Sequence, residues 1–172
     1  MQERILRPRI LVFLHGTVTM HSGAIDHTRE ERVRQVRSGS DPTVRSNATY
    51  VPIGHAAEKL RRWSAQGAQI DYLSPNREAE RLAEDKAILH QNDFPTGRIF
   101  AREPGETYGE LIAKDPPNLL LEDDCESIGA DEVAYPQIPA KQRERILSLV
   151  VPEFAGIDHL PDSLSELFRP NR

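Results

Sequence analysis

Apolar residues in this chain fall into short runs separated by amphipathic stretches. Ile10-Leu11-Val12-Phe13-Leu14 is the first run and predicts a strand over about residues 9–14. Ile70-Asp71-Tyr72-Leu73, Arg98-Ile99-Phe100-Ala101 and Asn118-Leu119-Leu120-Leu121 predict three more. Between them the period changes. Ala56, Leu60 and Trp63 stand at helical spacing with Gly67 as a stop. A longer helix is expected over about residues 76–91, capped by Ser74 or Asn76. Tyr108, Leu111 and Ile112 form the stripe of a short helix that must end before Pro116-Pro117. Toward the end, the pattern predicts a brief helix over about 125–130, an edge strand over 132–135 and a helix over about 140–154 that turns Ile146, Leu147, Val150, Val151 and Phe154 inward. A last short helix should start at Asp162 or Ser163. Alternating strands and helices imply an α/β fold, a three-layer Rossmann-like parallel sheet covered on both faces. Its ligands would bind beyond the carboxyl ends of the strands.

The segment from 18 to 53 is long for a connection and is rich in His, Arg, Ser and Thr. Thr28 followed by Glu31 has the pattern of an N-cap with an acid three residues on, so a short helix is expected there. We read this stretch as a small cap inserted after the first strand of a single domain spanning residues 1–172. No apolar run approaches the length of a membrane span. The amino-terminal residues lack the apolar core of a signal peptide, and the lone Cys125 has no partner for an internal disulfide, which points to the cytoplasm. A net charge of −5 argues against general nucleic-acid binding. The distribution of charge says more: residues 29 to 45 hold five arginines against three acids, and residues 103 to 132 hold ten acids against Lys114 alone.

Two apolar strands end in polar cargo. The first runs into His15-Gly16-Thr17, and the fourth stops in Glu122-Asp123-Asp124, acids that cost several kcal/mol each if buried unpaired, on the order of 2–7 for a polar group and more for a charge. His15 is either a proton-transfer group or a brace for the turn after the strand. One of the acids is explained by capping, but three in a row repel one another and call for a cation nearby. His15, His21 and His27 do not have zinc spacing. Lys86 is a rim residue, and Cys125, beside the acids, is a packing residue rather than a nucleophile. The arginines of the cap either grip an anion or form a solvated face.

These motifs resemble the haloacid dehalogenase-like (HAD-like) phosphohydrolases over roughly residues 9–130. The family's strand followed by Asp-x-Asp-Gly-Thr is matched by Phe13-Leu14-His15-Gly16-Thr17. Its strand ending in Thr or Ser is matched by Ile70-Asp71-Tyr72-Leu73-Ser74, and its strand ending in paired acids by Leu119-Leu120-Leu121-Glu122-Asp123-Asp124. Lys114, nine positions before Asp123, stands where the family places its lysine and resembles the nucleotidase branch. The resemblance implies a phosphate held by Gly16, Thr17, Ser74 and Lys114, proton transfer by His15 with Lys114 assisting, and magnesium on Asp123 and Asp124. Phe13 stands where the family has its nucleophile, which closes the aspartyl-phosphate route and weakens the magnesium site. The expectation is therefore a HAD-like protein that binds a phosphorylated small molecule, a nucleotide first, with little conventional phosphatase activity. The alternatives are a metal-dependent phosphoric monoester hydrolase that uses His15 or metal-bound water, and a non-catalytic interaction module that uses the arginine-rich cap.

Overall fold

The computed structural model describes residues 7–169. In chain order the elements are β1 (Arg9–Phe13), β2 (Thr19–Met20), α1 (Arg29–Ser38), β3 (Val51–Pro52), α2 (Ala56–Ala65), β4 (Gln69–Leu73), α3 (Ala79–Gln91), β5 (Ile99–Phe100), α4 (Tyr108–Lys114), β6 (Leu119–Asp123), α5 (Ala140–Arg143), β7 (Leu147–Val151) and α6 (Leu164–Leu167). Five of the strands form one parallel sheet in the order β5-β4-β1-β6-β7. With β1 in the centre, Val12 lies opposite Tyr72 on one side and Leu121 on the other. The polar ends of β1 and β6 therefore emerge side by side on one rim.

The period of two along β1 sorts its side chains between two cores. Ile10, Val12 and Leu14 join Leu60 and Trp63 of α2 and Leu89 of α3 on one face. Leu11 and Phe13 join Tyr108 and Ile112 of α4 and Ile138 on the other. Each fully buried aliphatic side chain contributes about 1.5–3 kcal/mol, so both layers are held by the strand that also aims the site. No helix among the described residues is long and apolar enough to cross a membrane.

Between β1 and α2 the chain makes an excursion. Its neck is closed where β2 pairs antiparallel with β3. Thr28 caps α1 with a reciprocal capping box to Glu31, and Met20, Ala24, Val33, Ile53 and Phe154 form a small core of their own beneath it.

Beyond β4 the chain departs from expectation in four places. Helix α5 stops at Arg143, and the stretch read as its continuation is the edge strand β7, paired along its length with β6. Leu147 and Leu149 pack on the core while Val150 is half exposed. The expected edge strand over 132–135 is a pair of 3-10 turns, because the N–H groups of Ala134 and Tyr135 donate to the Glu122 carboxylate and Pro136 follows. The expected helix over 125–130 is a turn, with Cys125 in the left-handed region. Helix α3 starts at Ala79 without a side-chain cap, since Ser74 and Asn76 bond elsewhere.

Candidate functional site

After Phe13 the chain turns sharply. The N–H groups of Thr17, Val18 and Thr19 converge on the Leu14 carbonyl, and that of Gly16 donates to the Thr19 carbonyl. Gly16 has φ +88°, and a Cβ there would meet an Asp123 carboxylate oxygen at 2.9 Å and the Glu153 side chain at 3.1 Å. Only glycine lets the loop pass this close to the acids. The amides of Gly16 and Thr17 thus face the turn itself, a correction to their expected role as phosphate ligands.

Asp123, at the end of β6, accepts from the Thr17 hydroxyl at 2.9 Å and from the Cys125 N–H at 2.9 Å. Burial pushes its carboxyl up to about 6, with the neighbouring charges of Glu153 and Asp124 adding to the rise. Glu153, two residues beyond β7, accepts from both the N–H and the hydroxyl of Ser127, and burial likewise pushes it up. Asp124 accepts from the N–H groups of Glu126 and Glu153. Carboxylate oxygens of Asp123, Asp124 and Glu153 lie within 4.8 Å of one another. Glu122 points to the opposite face. There it is bonded by two backbone amides, and burial pushes it up to about 7. Only two of the three consecutive acids share the cluster, and the third member comes from a strand that the sequence pattern misassigned.

Phe13 sits at the carboxyl end of β1 with its ring edge-on to Tyr108, centroids 5.3 Å apart. Both line a cavity of about 240 Å³ under the excursion, together with His15, Arg102, Asp123 and Glu153. Arg102 lies just past β5 and stacks on Tyr108, its guanidinium carbon 3.8 Å from the ring centroid. Its Nε is buried and has no hydrogen-bond partner among the described residues.

On the other wall, His15 Nε2 stands 3.0 Å from the carboxylate of Asp85 on α3. Asp85 also receives the Ser74 hydroxyl at 2.6 Å and the side-chain amides of Asn76 and Asn47. Burial pushes the Asp85 carboxyl up, but the hydrogen bonds and charge of these partners outweigh it, so the group stays below its ordinary value. The Ser74 hydroxyl is buried in this network and does not face the cavity as a phosphate ligand. Lys114 is further removed. It ends α4, exposed and paired with Glu106, and the adjacent Asp115 bonds Arg9 at the start of β1. That places it on the rim opposite Asp123, so the acids receive no lysine.

Three of the five arginines of the excursion are engaged with protein. Arg29 and Arg37 bond Glu126, and Arg32 bonds the Phe154 carbonyl. Three functional candidates escaped the sequence reading. Glu153 was hidden by the misassigned β7. Asp85 shares an inward helical face with Ile88 and Leu89, and an acid at such a position was the available signal. Lys86 beside it is exposed, as expected. Arg102 carries no signal beyond following a strand.

Two solved structures share this fold, both of the class C acid phosphatase from Bacillus anthracis. The form with tungstate bound is 18% identical with a TM-score of 0.53, and the other is 17% identical with a TM-score of 0.54. Each comparison covers 90% of this chain and 70% of the phosphatase. No protein-family model matches the chain, and no curated protein is similar to it. The likeness is one of fold, a three-layer α/β arrangement.

Proposed function

We propose that this chain binds a small phosphorylated molecule in the cavity beyond β1, β6 and β7, and that the covalent aspartyl route is closed to it. The observation that carries the reading is Arg102. A guanidinium already oriented by an aromatic face, with a buried N–H lacking an acceptor, is a preformed partner for an oxyanion. Tungstate, carried by one of the phosphatase structures of this fold, is an oxyanion of that kind. Phe13 offers no lone pair where the family's nucleophile stands, and Arg102 takes the cationic role first assigned to Lys114. The nucleotide expectation rested on the spacing of Lys114 and goes with it. A cavity of about 240 Å³ is also below the range of about 300–1,000 Å³ typical of drug-sized ligands, which favours a short phosphomonoester. A cytoplasmic setting accords with the single unpaired Cys125.

Asp123, Asp124 and Glu153 present only hard oxygen ligands, and the raised carboxyls of Asp123 and Glu153 gain from a cation. This donor set fits magnesium or manganese, which would supply Lewis acidity toward the bound oxyanion. The test is thermal unfolding with inorganic phosphate and with small phosphomonoesters, with and without magnesium. Ligand at a hundred times its Kd stabilises by about 2.7 kcal/mol, an upward shift of about 5–10 °C in Tm for a chain of this size. Arg102→Gln should abolish the shift. No shift with any phosphomonoester, or a full shift in Arg102→Gln, overturns the reading.

A further inference from the structure

We propose that the organic group of the ligand is apolar and the size of a single ring, so that the cavity selects aryl or branched alkyl phosphomonoesters and rejects those of sugars and other polyols. The inference rests on the reading of the cavity as a phosphate site and names the class of ester it takes.

The charged groups of the cavity stand where the strands of the sheet end: Asp123 closes β6, Glu153 follows β7 and Arg102 follows β5. Ser127 also lines it, but its N–H and hydroxyl both donate to Glu153, and the remaining acid, Glu132, is exposed. Arg102 lies on the Tyr108 ring, and Phe13 meets that ring edge-on. A phosphate held by Arg102 therefore lies beside an aromatic pair. Above it the excursion contributes Val36, Val44 and Tyr50, all half-buried. Tyr50 presents its ring and not its hydroxyl, which donates to the Val44 carbonyl at 2.7 Å while the ring packs on His15. Ile128 borders the same cavity and is 63% exposed, the most of any large apolar side chain among the described residues. On an open surface one exposed isoleucine needs no explanation. Beside a cavity roofed by two valines and a tyrosine ring, it extends an apolar lining outward.

The two halves of such a site recognise the two halves of an ester. Arg102 and a cation on the acids hold the phosphate whatever it is attached to, so discrimination falls to the lining. A ring placed against Phe13, Val36, Val44 and Ile128 removes its own apolar surface and theirs from water. A sugar or glycerol group in the same place gives up its water and gains no hydrogen bond from these side chains, a loss of about tenfold or more in affinity for each hydroxyl stranded. Phe13, which closes the covalent route, thereby gains a use as a wall against which the organic group packs.

The experiment measures binding by isothermal titration, with magnesium present, of two phosphonates that cannot be hydrolysed: benzylphosphonate and 3,4-dihydroxybutylphosphonate, the carbon isostere of glycerol 1-phosphate. The benzyl compound should bind at least about tenfold more tightly. Val44→Thr exchanges a methyl for a hydroxyl, and Ile128→Asn alters an exposed side chain, so both variants should fold. Each should shrink the benzyl preference to about threefold or less, read as the ratio of the two Kd values. Equal affinity for the two phosphonates, tighter binding of the dihydroxybutyl compound, or an undiminished ratio in both variants would overturn the proposal. Inorganic phosphate in the thermal assay separates the two failures. A shift with phosphate but no benzyl preference removes this inference and leaves the phosphate site standing, whereas no shift with phosphate or either phosphonate removes both.

Discussion

Asp123 is buried beneath Gly16 with its carboxyl pushed up to about 6 from an ordinary 3.8. A carboxyl whose folded pKa exceeds its unfolded value binds more protons when folded, so its contribution is most favourable in acid and is lost as pH rises from about 4 through about 6. Above that window the cost is on the order of 3 kcal/mol. Glu122 acts in the same direction up to about 7. Asp71 and Asp85, whose carboxyls lie below their ordinary value, act in the opposite direction but only in stronger acid. Asp123→Asn keeps both hydrogen bonds, since its carbonyl can accept from Cys125 and its amide can donate to the Thr17 hydroxyl. Urea unfolding of the metal-free protein should therefore find this variant more stable than the wild type at pH 8 and equal to it or weaker near pH 4. Magnesium should raise the wild-type Tm at pH 8 and leave the variant unmoved. Much of this site could be read from residue types alone: Gly16, Thr17, Asp123 and Asp124 do converge. Ser74 and Lys114 could not be placed that way, because a motif position does not reveal that a buried aspartate already holds the hydroxyl or that the lysine belongs to the far rim.

At the scale of elements, the chain as far as β4 followed its local signals. The capping box at Thr28, the stripe through Ala56, Leu60 and Trp63, and the apolar runs of β1 and β4 each had one consistent reading. The stretch from Ile146 to Val151 had two. Its apolar residues satisfy both a helical stripe and a strand half buried on one face, and pairing with β6 decides between them. The side chains record the outcome. Val150 is half exposed and Val151 is buried, whereas a helix would have turned both inward. Val150→Thr should change the unfolding free energy by less than about 0.5 kcal/mol, and Val151→Ala should cost about 2 kcal/mol, both measured by urea denaturation. Comparable losses at the two positions would contradict the strand. The same ambiguity concealed Glu153, which an edge strand delivers to the rim and a helix would not.

Across the whole molecule, the excursion between β1 and α2 is tied to the body on two sides. Asn47 reaches Asp85 and the Arg81 carbonyl on α3, and Arg29, Arg32 and Arg37 reach Glu126 and the Phe154 carbonyl on the other flank. The arginine-rich charge pattern and the acidic stretch were visible in sequence, but not that Arg29 and Arg37 meet at Glu126. Exposed ion pairs contribute little to global stability, about 0–1 kcal/mol, so their effect should be local. Glu126→Ala should leave Tm nearly unchanged while speeding amide hydrogen exchange in α1 relative to α3. Unchanged exchange in α1 would mean that the small apolar core beneath it suffices. If the cavity takes the ligand proposed for it, a roof fastened at both flanks would select solutes at the doorway by girth, with no closing motion to await.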